Sequence, residues 1–491
     1  MKKIFLFFAI TIVALLNTEL YAQVDSDLSN ESFEEYRKSL FEDFDDFREE
    51  AIKEYNEYAE AMHAEYMEYL SSIKSMWGEN NAAEDTKTEW VEYGNDLKSR
   101  SIVNFEKGKI DVEILLDNVN DNDSTAIKKR LAEAIKALLN SKGKTLPYKS
   151  QIDEQLTLSP TPILEGLVDF SKYDIPKEIA SKDIKQIAVD KPKKPTPPTP
   201  VVKSSTLTDN ENKEEKNSAK TTMANEAINK KKKAEEEKLA ETKIVKNEPI
   251  VNKEAASTPV TNTPKEENKK VETLIAENIA KAIAEQSKKS SNTIKGEDNI
   301  ERKVIKIEMP LVSDNLSKNA AIYKDYVEQY SQKFKIEQPL IYAVMEQESC
   351  FNPKAKSWVP AYGLMQLVPS SGGYDAYRYV YKNDWIPTQS YLYIPHQNIE
   401  LGTAYLRILM NQFSNVTNPD CRRLCVIASY NTGAGNVSRA FTGNTNIKKA
   451  IPLINEYSYQ QLYDYLTNKL STEEARKYVS GVSKRREKYL K

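Results

Sequence analysis

Ala343-Val344-Met345-Glu346-Gln347-Glu348-Ser349-Cys350-Phe351-Asn352-Pro353, followed ten residues on by Gly363-Leu364-Met365-Gln366, is the stretch whose reading decides the fold. Leu340, Ile341, Val344 and Met345 recur at helical spacing, and Glu348 falls on the same face one turn later. A carboxylate on a buried helix face loses its hydration, which favours the neutral form and raises its pKa. That is the state a general acid needs to protonate a leaving oxygen near neutral pH. Glu346 lies roughly 160° away around the helix at α-helical spacing, so Glu348 is the better candidate acid.

The rest of the chain narrows the chemistry. At 491 residues it is too long for one ordinary domain. Its 73 acidic and 70 basic residues leave no polybasic surface that argues for nucleic acid. The two histidines, His63 and His396, exclude most His-dependent triads and His-rich metal sites. A carboxylate enzyme without metal or cofactor is the natural reading. Cys350, Cys421 and Cys425 read either as small buried residues or as one disulfide with one free thiol. No histidine partner makes a zinc site of them.

Residues 1–22 read as a secretory leader, with Lys2 and Lys3, an apolar run from Ile4 to Leu16, and Ala22 before the cut. No cysteine lies near that cut, so an exported, periplasmic and unanchored protein is expected. Residues 31–77 read as one long amphipathic helix. Phe33, Phe44, Tyr55, Tyr66 and Trp77 form one row, Tyr36, Phe47, Tyr58 and Tyr69 a second, and Leu40, Ala51, Met62 and Ile73 a third. An eleven-residue repeat gives about 3.67 residues per turn, a nearly straight seam. Such a stripe must be covered, and self-association or a partner helix through residues 31–77 is the favoured cover. Residues 80–190 read as a small α+β domain, with a β-hairpin over 101–115 turning at Gly108 and a helix from Ser124 to about Leu139. Residues 191–300 are poor in large apolar side chains and read as a disordered linker, with a weak helix at 271–287. A strand at 302–310 precedes a mostly helical domain at 315–491, with helices at 317–335, 337–349, 396–413, 420–430 and 471–490.

Four motifs occur in order: Glu348-Ser349 with Asn352-Pro353; Ser357 through Gly363-Leu364-Met365-Gln366; Ala428-Ser429-Tyr430-Asn431 with Gly433-Ala434-Gly435; and Glu474-x-Arg476-x-Tyr478-Val479. Together they resemble the soluble lytic transglycosylase domain, a goose-type lysozyme-like fold that cleaves peptidoglycan. Pro360-Ala361 departs from the Gly-Ala or Asp-Ala common in that family. Arg100-Ser101-x-x-Asn104-Phe105, the glycine turn and the following helix resemble the N-terminal domain of the membrane-bound lytic murein transglycosylase C family. There, a strand placed like 302–310 joins the N-terminal sheet. The resemblance implies an α+β protein whose catalytic domain is mostly α-helical. It implies Glu348 as the sole catalytic acid/base, acting on the β-1,4 bond between N-acetylmuramic acid and N-acetylglucosamine with formation of a 1,6-anhydro ring. It implies Ser349, Ser357, Met365, Gln366, Tyr430, Asn431, Glu474 and Tyr478 as substrate-binding residues, and peptidoglycan strands as the partner. A lysozyme-type hydrolase and a non-catalytic peptidoglycan-binding scaffold stay open beside it.

Overall fold

A computed structural model describes residues 30–175 and 264–490. The leader at 1–22 and residues 191–263 of the expected linker lie outside the described residues. Residues 1–176 and 272–491 cluster as one unit and 177–271 as another, of which only the opening turns of one helix are described.

Five antiparallel strands form one sheet in the order β1-β2-β3-β5-β4. They are β1 (Glu89–Tyr93), β2 (Ser99–Asn104), β3 (Lys109–Leu116), β4 (Ser290–Lys295) and β5 (Glu301–Pro310). The hairpin of β2 and β3 closes at Gly108, whose φ of 65° suits a residue without Cβ. β3 sits in the middle, buried along nearly its whole length, and pairs with β5 from Lys109↔Pro310 to Leu116↔Lys303. A sheet built from segments so distant in sequence needs β5 to close its core through Ile305, Ile307 and Met309.

Part of the expected linker is therefore ordered. Helix Pro264–Gln286 buries Ala280, Ile283 and Ala284 against the sheet domain, and Lys136 bonds Glu277 at 3.0 Å. β4 follows at once. The sequence hides β4 because only Ile294 of its six side chains is buried, so no alternation marks it. Backbone pairing to β5 makes it a strand, and Asn299, at φ 64°, turns the hairpin. The sequence hides β1 as well; its buried Trp90 and Val91 are adjacent rather than alternating.

Helices are numbered in chain order: α1 (Asn30–Trp77), α2 (Ser124–Leu139), α3 (Pro264–Gln286), α4 (Asn315–Ile322), α5 (Lys324–Phe334), α6 (Gln338–Ser349), α7 (Tyr374–Tyr381), α8 (Gln389–Tyr393), α9 (Pro395–Gln412), α10 (Pro419–Thr432), α11 (Ala434–Thr442), α12 (Ile447–Ile454), α13 (Tyr459–Lys469) and α14 (Glu473–Lys488). The helix expected at 317–335 is two, broken at Tyr323. Helices α7, α8 and α11–α13 were not anticipated. α6 is the hub of the helical half. Its residues are buried on nearly every side, and it packs against α5 and α14. All three cysteines are free and buried, so the disulfide reading is corrected: each thiol is a small core group.

The cover of α1 is the second correction. From residue 49 onward, where its side chains are described, the aromatic rows dock on this chain itself. Tyr58 donates to Asp153 at 2.6 Å and lies beside Thr388. Tyr66 bonds Glu84 and lies under the Lys356 ammonium. The Tyr148 ring lies tilted against Tyr69, 5.5 Å between centres, and its hydroxyl donates to the Met62 carbonyl at 3.3 Å. The helical domain supplies the cover that the small N-terminal domain alone could not, so self-association through these rows is not needed over 49–77. α1 ends at Gly78, whose φ of 79° and close approach to the Lys295 carbonyl exclude a side chain.

Trp77 is the anchor of that end. It is fully buried, its indole donates to the Leu97 carbonyl at 2.7 Å, and the Arg100 guanidinium lies 4.0 Å from its ring centre. Trp77→Ala should cost ~3–5 kcal/mol, read as a lower denaturation midpoint. A midpoint equal to wild type would mean that α1 does not dock here.

Candidate active site

The site forms where α6 stops. Cys350 and Phe351 have φ of 49° and 64°, a left-handed region that residues with a Cβ rarely enter. The Cys350 N–H still bonds the Glu346 carbonyl at 3.1 Å. The abrupt stop leaves Glu348 on the last helical turn, facing α14.

Glu348 is 6% exposed. Its Oε1 accepts a hydrogen bond from the Tyr478 hydroxyl of α14 at 2.7 Å, and its Oε2 lies 3.7 Å from the Lys87 ammonium. It borders a cleft of about 350 Å³, lined also by Gln347, Glu473, Glu474, Lys477, Tyr478 and Lys87. Burial pushes the Glu348 carboxyl above its usual range; Lys87 and Tyr478 oppose that rise, and the negative charge of Glu474 adds to it. Burial also holds the Tyr478 and Tyr430 hydroxyls well above their usual pKa, so both stay neutral donors. The arrangement is one carboxyl, largely desolvated, able to hold a proton and to give it to a group in the cleft.

The other residues read as sugar contacts divide. Tyr478 and Glu474 line the cleft, Glu474 from its exposed rim. Tyr430 of α10 lies close enough to Glu348 to feel its charge, and its hydroxyl donates to the Met365 carbonyl at 2.9 Å. Asn431 follows it, half-buried. Ser349 and Met365 are fully buried, which corrects their reading as contacts. The Ser349 hydroxyl lies 2.9 Å from the Met345 carbonyl and 2.8 Å from that of Leu364, fastening α6 to the turn behind it. Met365 packs against Gly402. Gln366 is buried too; its Nε2 donates to the carbonyls of Ala355 and Gly363 at 2.9 and 3.1 Å, and its Oε1 has no hydrogen-bond partner among the described residues. Ser357 bonds the Val359 carbonyl at the root of an exposed loop, outside the cleft lining.

Two residues of the site were missed. Asn398, on α9, takes the Met365 N–H at 2.7 Å and gives its own amide to the carbonyls of Tyr362 and Leu392 at 2.8 and 2.7 Å. Its signal was an asparagine on an otherwise apolar helix face. Lys87 gave no signal: it is one lysine among seventy basic residues, in the other domain. Among the described residues no group of three or more His, Cys, Asp or Glu could hold a metal.

Glu346, the neighbouring buried carboxylate, is committed elsewhere. It accepts from Lys488 at 2.9 Å and from the Tyr489 hydroxyl, with Arg485 3.6 Å away. Glu346→Gln should therefore loosen the end of α14, lowering stability by about 1.5–3 kcal/mol, while leaving activity near wild type at room temperature. A loss of activity as deep as that of Glu348→Gln, with unchanged stability, would reverse the assignment of the acid.

Two family models match parts of the chain. Residues 325–451 match the transglycosylase SLT domain, and residues 55–180 match the membrane-bound lytic murein transglycosylase C N-terminal domain. Membrane-bound lytic murein transglycosylase C of Cronobacter sakazakii is 39% identical over 198 residues, 40% of this chain and 54% of that protein. The same enzyme of Pectobacterium atrosepticum is 40% identical over 185 residues, 37% of this chain and 51% of that protein. The chain thus spans about half the length of these curated relatives. Among solved structures, the 70 kDa soluble lytic transglycosylase Slt70 of Escherichia coli aligns over 34% of this chain and 24% of its own, at 26% identity and a TM-score of 0.27. The chain is thus similar over residues 325–451 to the transglycosylase SLT domain, over residues 55–180 to the membrane-bound lytic murein transglycosylase C N-terminal domain, and in sequence to the enzymes of that name.

Proposed function

We propose that this chain is a peptidoglycan lytic transglycosylase that cleaves the β-1,4 bond between N-acetylmuramic acid and N-acetylglucosamine. The observation that carries the reading is Glu348: a single buried carboxyl, raised in pKa by burial, at the edge of an open cleft and held by Tyr478. In its neutral form it protonates the glycosidic oxygen as the bond to the muramic C1 breaks. The resulting carboxylate takes the proton of that sugar's own 6-hydroxyl, whose oxygen bonds C1 and closes a 1,6-anhydro ring. The proton returns to Glu348 and no water is consumed. Attack from within one sugar makes the step effectively unimolecular. A single acid/base suffices because the substrate supplies the nucleophile, unlike the paired carboxylates of most glycosidases.

Glu474 and Tyr478 border the sugar directly in this reading, with Tyr430 and Asn431 near the reacting centre. Ser349, Met365 and Gln366 act from behind the wall. A substrate of the cell wall fits the export expected from residues 1–22. No helix among the described residues is long and apolar enough to cross a membrane.

The test is digestion of purified sacculi followed by mass spectrometry. Anhydro-muropeptides are expected, and reducing-end products would mean a lysozyme-type hydrolase instead. Glu348→Gln should lower the rate by at least ~10²–10⁴-fold with an unchanged circular dichroism spectrum. A variant with near wild-type cleavage removes Glu348 from the chemistry, and a wild type that binds sacculi without cutting them leaves a scaffold.

A further inference from the structure

Lys87 does not belong to the helical domain that carries Glu348. It lies just before β1, in a segment that its own sheet holds rigidly. The Thr86 N–H bonds the Glu89 carbonyl at 3.0 Å, the Glu89 N–H bonds the Thr86 hydroxyl at 3.1 Å, and the Phe105 N–H bonds the Thr88 carbonyl at 3.0 Å. The helical domain grips the same backbone from the other side. Asn352 donates its side-chain amide toward the carbonyls of Thr86 and Lys87 at 3.3 and 3.4 Å, and the Lys356 N–H bonds the Thr86 carbonyl at 3.4 Å. Asn352 is fully buried and lies four residues beyond Glu348. The lysine backbone is thus fixed against the very segment that bears the acid, and its ammonium reaches to 3.7 Å from Glu348 Oε2 across the cleft.

We propose that Lys87, delivered by the N-terminal domain, is a positioning residue of the reaction: its ammonium is the counter-charge for the Glu348 carboxylate that proton donation leaves behind. The proposal rests on the transglycosylase reading above. Glu348 must hold a proton before bond cleavage and survive as an anion until the 6-hydroxyl returns one. Burial serves the first need and opposes the second, because a desolvated carboxylate is costly without a partner. Tyr478 and Lys87 supply that partner from opposite sides, Tyr478 by a hydrogen bond at Oε1 and Lys87 by charge at Oε2. The remaining charged or titratable groups around the acid are Glu473, Glu474 and Lys477 on α14 and Tyr430 on α10; of these, Glu474 and Tyr430 carry an electrostatic interaction with the Glu348 carboxylate.

The full chain is the material for the test. Glu348 is followed by ¹³C-carboxyl NMR without substrate, its signal assigned by its loss in Glu348→Gln. Wild type is compared with Lys87→Arg, Lys87→Met and Lys87→Glu, and the side chain is 41% exposed, so all should fold. Removing a cation disfavours the carboxylate, so the midpoint should rise by about one pH unit or more in Lys87→Met. It should rise further in Lys87→Glu and stay near wild type in Lys87→Arg. On sacculi, the alkaline limb of kcat/KM should move in the same order and the plateau should fall in Lys87→Met. Midpoints that coincide across the four chains, or a uniform loss of activity with no movement of the limb, overturn the role of Lys87. Midpoints that move in a chain whose wild type leaves sacculi intact overturn the transglycosylase reading instead, and with it any role in that reaction.

Discussion

The relation between the two halves of the protein depends on one buried ammonium. Lys354 is 3% exposed, with its Nζ 2.9 Å from the Thr145 carbonyl, 3.6 Å from Asp85 and 4.3 Å from the ring centre of Tyr393. Taking such a charge out of water costs several kcal/mol, and the cost is offset only while all of these partners stay in place. Burial pushes the Lys354 pKa down and the Asp85 pKa up, and each charge opposes the shift of the other. Asp85 is fixed in turn by the Val91 N–H at 2.8 Å. A slip of the N-terminal domain would leave an unpaired charge in the interior. Lys354 therefore sets a register, and Asp85 and Thr86 carry it two residues along to Lys87.

Helix α1 braces the same joint from outside. Its tyrosines bury their rings while their hydroxyls find polar partners, which is how a long aromatic row is kept from being an aggregation hazard. The partners come from both halves: Asp153 and Glu84 from one, Thr388 and Lys356 from the other. Tyr55 reaches the neighbourhood of Tyr362, at the base of the loop that begins the Gly363–Gln366 turn. The brace thus reaches the segment that leads into the Gly363–Gln366 turn.

What the sequence disclosed and what it withheld separate along physical lines. The burial of Glu348 was legible because apolar residues at helical spacing mark the buried face of its own helix, whereas its partners Tyr478 and Lys87 come from remote segments. The eleven-residue rows of α1 were legible for the same reason, but their cover was not. Tyr148, Ser150, Gln151, Asp153, Lys356 and Thr388 reach α1 only through the tertiary fold. β4 was illegible because backbone pairing, not side-chain alternation, makes it a strand. Lys87 could not be read at all, since a lysine near a sheet edge looks like any solvated charge until the domains meet. Ser349 and Met365 were misread because a motif names residue types together without saying which face the ligand and which the backbone.

That last distinction explains the composition of the turn behind α6. Ser349, Gln366, Asn398 and Tyr430 all direct hydrogen bonds to main-chain atoms between Ala355 and Met365. The segment includes Gly363 at φ 78° and runs into Gln366 at φ 48°, a course that holds only if its carbonyls are tied. A side chain on Gly363 would collide with the Leu392 carbonyl and the Asn398 amide, so the residue is glycine for space as well as for backbone angle. The polar residues of the motif thus hold this buried turn in place, while the cleft is lined by a different set that includes Glu348, Glu474 and Tyr478. Glu348 connects these two groups. Its backbone is tied to this turn through Ser349, and its carboxyl meets Tyr478 and Lys87 in the cleft. The acid is consequently placed by three segments that are remote in sequence, and none of them alone determines whether it carries a proton.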